Sequence, residues 1–169
     1  GERFTSVPPL QLKDIFMDTS PTVPTIFVLS SGADPTKMLL DFAEEKGFMS
    51  SMGIISLGAG QGPIAENLIA SGCKKGQWVC LQNCHLATSW LPKMEKVISD
   101  LSKPDVHIHE DFRLWLMSMP SAAFPVATLQ SSIKLTNEPP KGLRANMIGT
   151  LGVMKEEYFE SCSKPQPWK

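Results

Sequence analysis

Five short apolar runs, at residues 25–29, 53–57, 78–81, 112–119 and 132–135, set the pattern of the chain, and Gly, Pro or polar residues bound each of them. The middle run, Trp78-Val79-Cys80-Leu81, contains no polar position and therefore no face for solvent. It predicts a strand covered on both sides, as in a parallel sheet. Between the runs the apolar spacing changes to three and four. Residues 36–46 place Leu39, Leu40, Phe42 and Ala43 on one helical face before Gly47, a good terminator. A helix opening at Pro63 buries Ile64, Leu68 and Ile69 and is expected to end near Gly72. Residues 90–101 form the best amphipathic pattern, with Leu91, Met94, Val97, Ile98 and Leu101 on one side and Pro92 harmlessly in the first turn. A shorter helix is expected over 122–130, and further helical pieces over 142–148 and 153–162.

Strands alternating with helices predict βαβ units, a parallel sheet and right-handed crossovers, the α/β class. The expected division is an approach segment at 1–23 with an amphipathic piece at 10–17, an α/β body at 24–150, and the start of a helical subdomain at 151–169. Both ends read as cut from something longer, since the chain opens without an initiator Met and its last helices begin a subdomain that does not finish.

Composition narrows the function classes. A chain of 169 residues, 42% hydrophobic, suits one core, and a net charge of −1 with interspersed signs leaves no electrostatic footprint for nucleic acid or an anionic membrane. No apolar run has the length of a bilayer span. The four cysteines, Cys73, Cys80, Cys84 and Cys162, form no paired framework, and Cys80 lies in the buried run, so reduced thiols are expected. There is no Asn-x-Ser/Thr site, which fits an intracellular chain.

The turn after the first strand is the first candidate for chemistry. A phosphate-binding loop, G-x-x-x-x-G-K-[ST], needs glycines for close backbone approach, Lys for charge and a hydroxyl for Mg²⁺. Aligned on its lysine, the chain reads Ser31-Gly32-Ala33-Asp34-Pro35-Thr36-Lys37-Met38. Only Lys37 matches. Ser31 and Thr36 stand where the glycines belong, and Met38 replaces the hydroxyl. Asp34-Pro35 adds an anion and removes an N–H. The bland reading is a polar turn with an exposed Lys; the position between first strand and first helix favours a vestigial loop. The middle strand supplies the second half of the motif: in place of an Asp-Glu pair it ends in Gln82-Asn83. An amide is a poor ligand for a hard cation and no general base at neutral pH. Hydrolysis by this module is not expected, whereas weak nucleotide binding stays open.

Gly60-Gln61-Gly62-Pro63-Ile64-Ala65 fits G-x-G-x-x-[GA], but a dinucleotide site also wants an acid at the end of the next strand, where Gln82 and Asn83 stand. A Gly-rich turn with Pro63 at a helix start is the expectation. Cys80, Cys84 and His85, and His107 with His109, are metal-ligating types in no common zinc spacing, and no metal is expected. Arg144 has the chemistry of an arginine finger, although a surface salt bridge is the commoner use. No nucleophilic triad or dyad stands out.

Read together, Ile26-Phe27-Val28-Leu29-Ser30-Ser31-Gly32-Ala33-Asp34-Pro35-Thr36, Gly60-Gln61-Gly62-Pro63-Ile64-Ala65-Glu66, Trp78 to Ala87, Phe112 to Leu116, Asn137 to Asn146 and the final Lys164-Pro165…Trp168-Lys169 resemble the sixth AAA module of dynein heavy chains over about residues 24–169. Gln82-Asn83-Cys84-His85-Leu86 looks more like axonemal than cytoplasmic chains. The resemblance implies an AAA+ P-loop-type large subdomain with a five-stranded parallel sheet in order 5-1-4-3-2 between helices, followed by a helical lid. It places a γ-phosphate sensor at the end of the fourth strand, where this chain has Ser118. It also implies a structural module that closes the motor ring and relays shape changes without catalysis. ATP and Mg²⁺ then belong to the parent, a minus-end-directed microtubule motor of the ciliary or flagellar axoneme. Its partners are neighbouring AAA modules, intermediate and light chains and microtubules, with no nucleic acid and no membrane. Two rivals remain, a regulatory ATP site that uses Lys37 and a dinucleotide site that uses Gly60 and Gly62.

Overall fold

In the computed structural model, residues 12–30 and 34–137 are described. The expected helices at 142–148 and 153–162, the boundary at 150, and Ser31, Gly32, Arg144 and Cys162 lie outside the described residues. Five strands, β1 (Thr25–Leu29), β2 (Gly53–Ser56), β3 (Trp78–Gln82), β4 (Arg113–Ser118) and β5 (Ile133–Asn137), alternate with α1 (Leu12–Phe16), α2 (Thr36–Glu45), α3 (Gly62–Lys75), α4 (Leu91–Leu101) and α5 (Val126–Gln130). All strand pairs are parallel, and the sheet order β2-β3-β4-β1-β5 is the expected 5-1-4-3-2 read from the other edge. Cys80 stands opposite Trp115 and Ile26 opposite Leu116, so β4 is the axis on which β1 and β3 are aligned.

The alternation of side chains along each strand sorts the core into two layers. Ile26, Val79, Leu81, Leu114 and Leu116 face Ala65 and Ile69 of α3 and Leu91, Met94 and Ile98 of α4. Phe27, Trp78, Cys80, Trp115 and Met117 face Leu12 of α1 and Leu39, Phe42 and Ala43 of α2. This second layer is aromatic. The Trp78 and Trp115 rings lie 5.3 Å apart, and Phe48, just beyond α2, stacks on Trp78 at 4.8 Å. Because both faces are covered, the central strands contain almost no polar residue, as the unbroken run at 78–81 predicts.

Two helix boundaries and one core position differ from the sequence pattern. Helix α3 passes through Gly72 to Lys75. Gly72 sits inside the helix because a Cβ there would come within 2.8 Å of Val79 and 3.0 Å of Phe112. Gly76, at φ +70°, terminates α3 instead and donates its N–H to the Gly72 carbonyl. Helix α5 starts at Val126 rather than 122, since Pro125 is extended and disfavours helical geometry at the residue before it. Ile64, expected in the core, is 54% exposed; the buried face of α3 runs instead through Ala65, Ile69 and Cys73. Among the described residues no helix is long and apolar enough to cross a membrane.

Candidate functional site

In an open parallel sheet, ligands bind at the carboxyl ends of the strands. Here that edge gathers the start of α2, the ends of β2, β3 and β4, and the turn after β3. Gln82 is the last residue of β3 and lies on the α2 side of the sheet, two and four residues after Cys80 and Trp78. Its amide Nε2 donates to the hydroxyl Oγ1 of Thr36, the first residue of α2, at 2.9 Å. That hydroxyl reaches the Met117 sulfur on β4 at 3.6 Å. The two halves of the degenerate phosphate motif are therefore bonded to each other. Asp34 closes the arrangement from the loop side by accepting the Thr36 backbone N–H on Oδ1 at 2.9 Å. Hydrogen bonding from Thr36, its hydroxyl first and its backbone N–H second, holds the Asp34 carboxyl below the usual carboxylate range.

The remaining sequence-predicted positions do not join this group. Lys37 is exposed and has no ion-pair partner among the described residues. Met38 packs its thioether against the aromatic core layer. Asn83 takes the left-handed conformation, φ 56° and ψ 37°, and its Nδ2 donates to Ser56 Oγ at the end of β2, 2.8 Å away. Ser118, buried at the end of β4, donates its hydroxyl to the neighbouring Met119 carbonyl at 2.9 Å. The Met119 N–H in turn reaches Nδ1 of His85 at 3.2 Å.

The residues present do not fit Mg²⁺. The motif's hydroxyl position is a thioether, its acid position is an amide whose N–H₂ is already engaged, and the loop brings its own carboxylate to the helix start where a phosphate would be held. Among the described residues, no group of three or more His, Cys, Asp or Glu is placed to hold a metal. Cys80 faces the aromatic layer and Cys84 the opposite one. The Gly60 and Gly62 pattern has a structural explanation. Gly60 turns at φ +78°, and a Cβ on Gly62 would stand 2.4 Å from the Trp90 ring. Trp90 lies against that glycine because its Nε1 donates to Glu66 at 2.9 Å, and Lys93 pairs with the same carboxylate at 2.9 Å.

Comparison with the phosphate-loop motif singled out Thr36 and Gln82 in the sequence, and the structure brings the two together. Asp34 as the acceptor for the first N–H of α2, and Ser56, His85 and Met117 as cross-ties along the edge, were missed. Only the position of these residues at strand and helix ends marks them, a signal shared by many polar residues.

The family model for the dynein heavy chain region D6 P-loop domain matches residues 20–136. The chain belongs to the dynein heavy chain family. It is 46% identical over 169 residues to human dynein axonemal heavy chain 6 and 46% identical over 169 residues to human dynein axonemal heavy chain 2. It is 48% identical over 177 residues to mouse dynein axonemal heavy chain 3. Each alignment covers 100% of this chain but 4% of the relative, so the chain corresponds to a small part of those proteins. A RuvB mutant from Thermotoga maritima is a looser structural likeness, with a TM-score of 0.46 and 14% identity over 75% of this chain and 42% of that one. The dynein assignment, the parallel sheet and its strand order agree with an AAA+ P-loop-type fold. In this dynein module Asp34 and Thr36 of the degenerate loop and Gln82 at the end of β3 are bonded together.

Proposed function

We propose that this segment is a non-catalytic AAA+ module of an axonemal dynein heavy chain, a scaffold that packs between neighbouring modules of a motor ring and relays their rigid-body shifts. The observation that carries this reading is the Gln82 amide on the Thr36 hydroxyl, with the Asp34 carboxylate on the Thr36 N–H. A catalytic site would need a glycine at 36, a hydroxyl at 38, an acid at 82 and an uncommitted helix N-terminus, where this chain has Thr36, Met38, Gln82 and the Asp34 carboxylate. In the parent chain, ATP and Mg²⁺ then act at other modules. On this reading the parent is the force-producing microtubule motor of the cilium or flagellum, working with intermediate and light chains.

A fluorescent-ATP titration with and without Mg²⁺, on the chain extended through its following helical region and shown to be folded, tests the proposal. The expected result is no saturable binding up to about 1 mM, where binding is worth only ~4 kcal/mol. The second reading, a regulatory ATP site, is favoured by one observation: Lys37 is exposed at the start of α2 with no ion-pair partner among the described residues. It requires saturable binding that disappears in Lys37→Ala, and that outcome would replace the scaffold reading.

A further inference from the structure

The hydrogen bonds along the carboxyl edge of the sheet form a series rather than isolated pairs. Asn83 ties the end of β3 to Ser56 at the end of β2. Gln82 ties β3 to Thr36 at the start of α2, and Thr36 reaches Met117 on β4. His85, in the turn after β3, accepts the Met119 N–H just past β4. Asp34 fixes the first amide of α2. Among the described residues, the start of α2, the ends of β2, β3 and β4 and the turn after β3 are thus joined by the protein's own side chains.

We propose that this Asp34–Thr36–Gln82–Met117 stitch stands in for the nucleotide and holds the module in one ligand-independent conformation. In a P-loop enzyme the link between the start of the first helix and the acid-bearing strand is made by phosphate and Mg²⁺, so it forms and breaks with each turnover. Here the same two elements are linked by a neutral amide and a hydroxyl that need no ligand. Their ordering is built into folding and does not change when nucleotide comes and goes elsewhere in the chain. A module between moving neighbours is then stiff at the edge where its relatives are hinged. The inference rests on the scaffold reading and assigns a regulatory consequence to its site.

The stitch makes a prediction about coupling. Thr36→Val keeps the shape of the side chain and removes the hydroxyl; Gln82→Leu removes the amide. Each leaves the other partner without its bond, whereas the double variant removes both. Hydrogen–deuterium exchange of the full heavy chain, read on peptides covering residues 34–45 and 78–85, measures the opening of this edge. Each single variant is expected to speed exchange at the start of α2 about five- to tenfold, and the double variant no more than either single one. Thr36→Ser, which restores a hydroxyl, should exchange like the parent sequence. A double variant whose acceleration equals the product of the single ones, or a Thr36→Ser as fast as Thr36→Val, overturns the stitch. Protection by Mg²⁺-ATP that is lost in Lys37→Ala fails differently, because it overturns the scaffold reading on which the inference rests.

Discussion

Asp34 shows how one side chain closes a binding position. Its carboxylate accepts the first N–H of α2, and Pro35 beside it has no N–H to offer. Asp34→Ala is expected to destabilise the fold by roughly 0.5–1 kcal/mol, the low end for a lost helix cap because the site is exposed. Asp34→Asn should retain most of that, since the amide oxygen still accepts. The folded carboxyl titrates below its ordinary value of 3.8, so the contribution is fully present above that pH. It is lost as pH falls below it. Denaturant melts of Asp34→Ala and the parent sequence should therefore differ by a constant amount at neutral pH, and the difference should shrink under acid to what a neutral oxygen acceptor supplies; a difference unchanged in strong acid would contradict a contribution from the charged carboxylate. Gly62 offers a second check. Gly62→Ala puts a methyl carbon 2.4 Å from the Trp90 ring and should cost about 1–3 kcal/mol in a thermal melt, with no change in any nucleotide binding. At this scale the sequence was informative about residue types and silent about their bonds. Met38, Gln82 and Asn83 were legible as losses because a motif specifies what belongs there. That Gln82 would bond Thr36, that Asn83 would turn left-handed toward Ser56, and that Ser118 would donate to its own neighbour depend on distances between elements that no local pattern encodes.

Among the elements, α1 depends most on what it touches. Five residues are too few to hold a helix by propensity alone, so its order comes from packing. Phe16 lies against Trp78 and Phe42, both centroids 5.4 Å away. Arg113, on the first position of β4, spreads over the Phe16 ring at 5.1 Å while its Nε donates to Thr19 Oγ1 at 2.9 Å and its terminal NH1 to the carbonyls of Glu110 and Phe112. Lys46 sits 5.4 Å from the same ring, and Lys13 pairs with Glu45 of α2 at 2.6 Å. The planar fork is what allows one side chain to stack and bond simultaneously, and a lysine cannot copy it. Arg113→Lys is expected to cost about 2 kcal/mol, combining a cation–π contact with a charge-assisted hydrogen bond. Exchange protection over residues 12–19 should fall further than protection in β4. Equal loss in both would mean that Arg113 supports the sheet and not the docked segment. Of the amphipathic piece expected at 10–17, the described part is α1 at Leu12–Phe16; its clamp was not legible, because Arg113 lies 94 positions from Thr19 in the chain.

For the whole molecule, the five strands were legible as apolar runs because both faces of the sheet are buried, and burial on two faces writes itself into sequence as the absence of polar residues; their order came from the family resemblance and not from the runs. The same burial governs the thiols. Cys80 and Cys84 lie on opposite layers of the core, and desolvation pushes each up to about 12, while Cys73 at the end of α3 is pushed up to about 11. Each ordinary thiol loses its proton near 9.0, so in the unfolded chain these groups ionise over a range where the folded chain keeps them neutral. The contribution to stability is therefore complete below pH 9.0 and declines as pH rises from there toward 11 and 12. Because the thiolate is the reactive form, a thiol reagent at neutral pH should reach Cys80 and Cys84 only through unfolding. Their labelling rate should then follow the global unfolding equilibrium, rising with denaturant along the same slope as the loss of circular dichroism. Cys73, nearer the surface, is expected to react by a smaller opening at the end of α3, with a shallower denaturant dependence. If Cys80 instead labelled as readily as Cys73 in native buffer, the aromatic layer over β3 would have to open locally, and the rigidity assigned to this sheet would not hold.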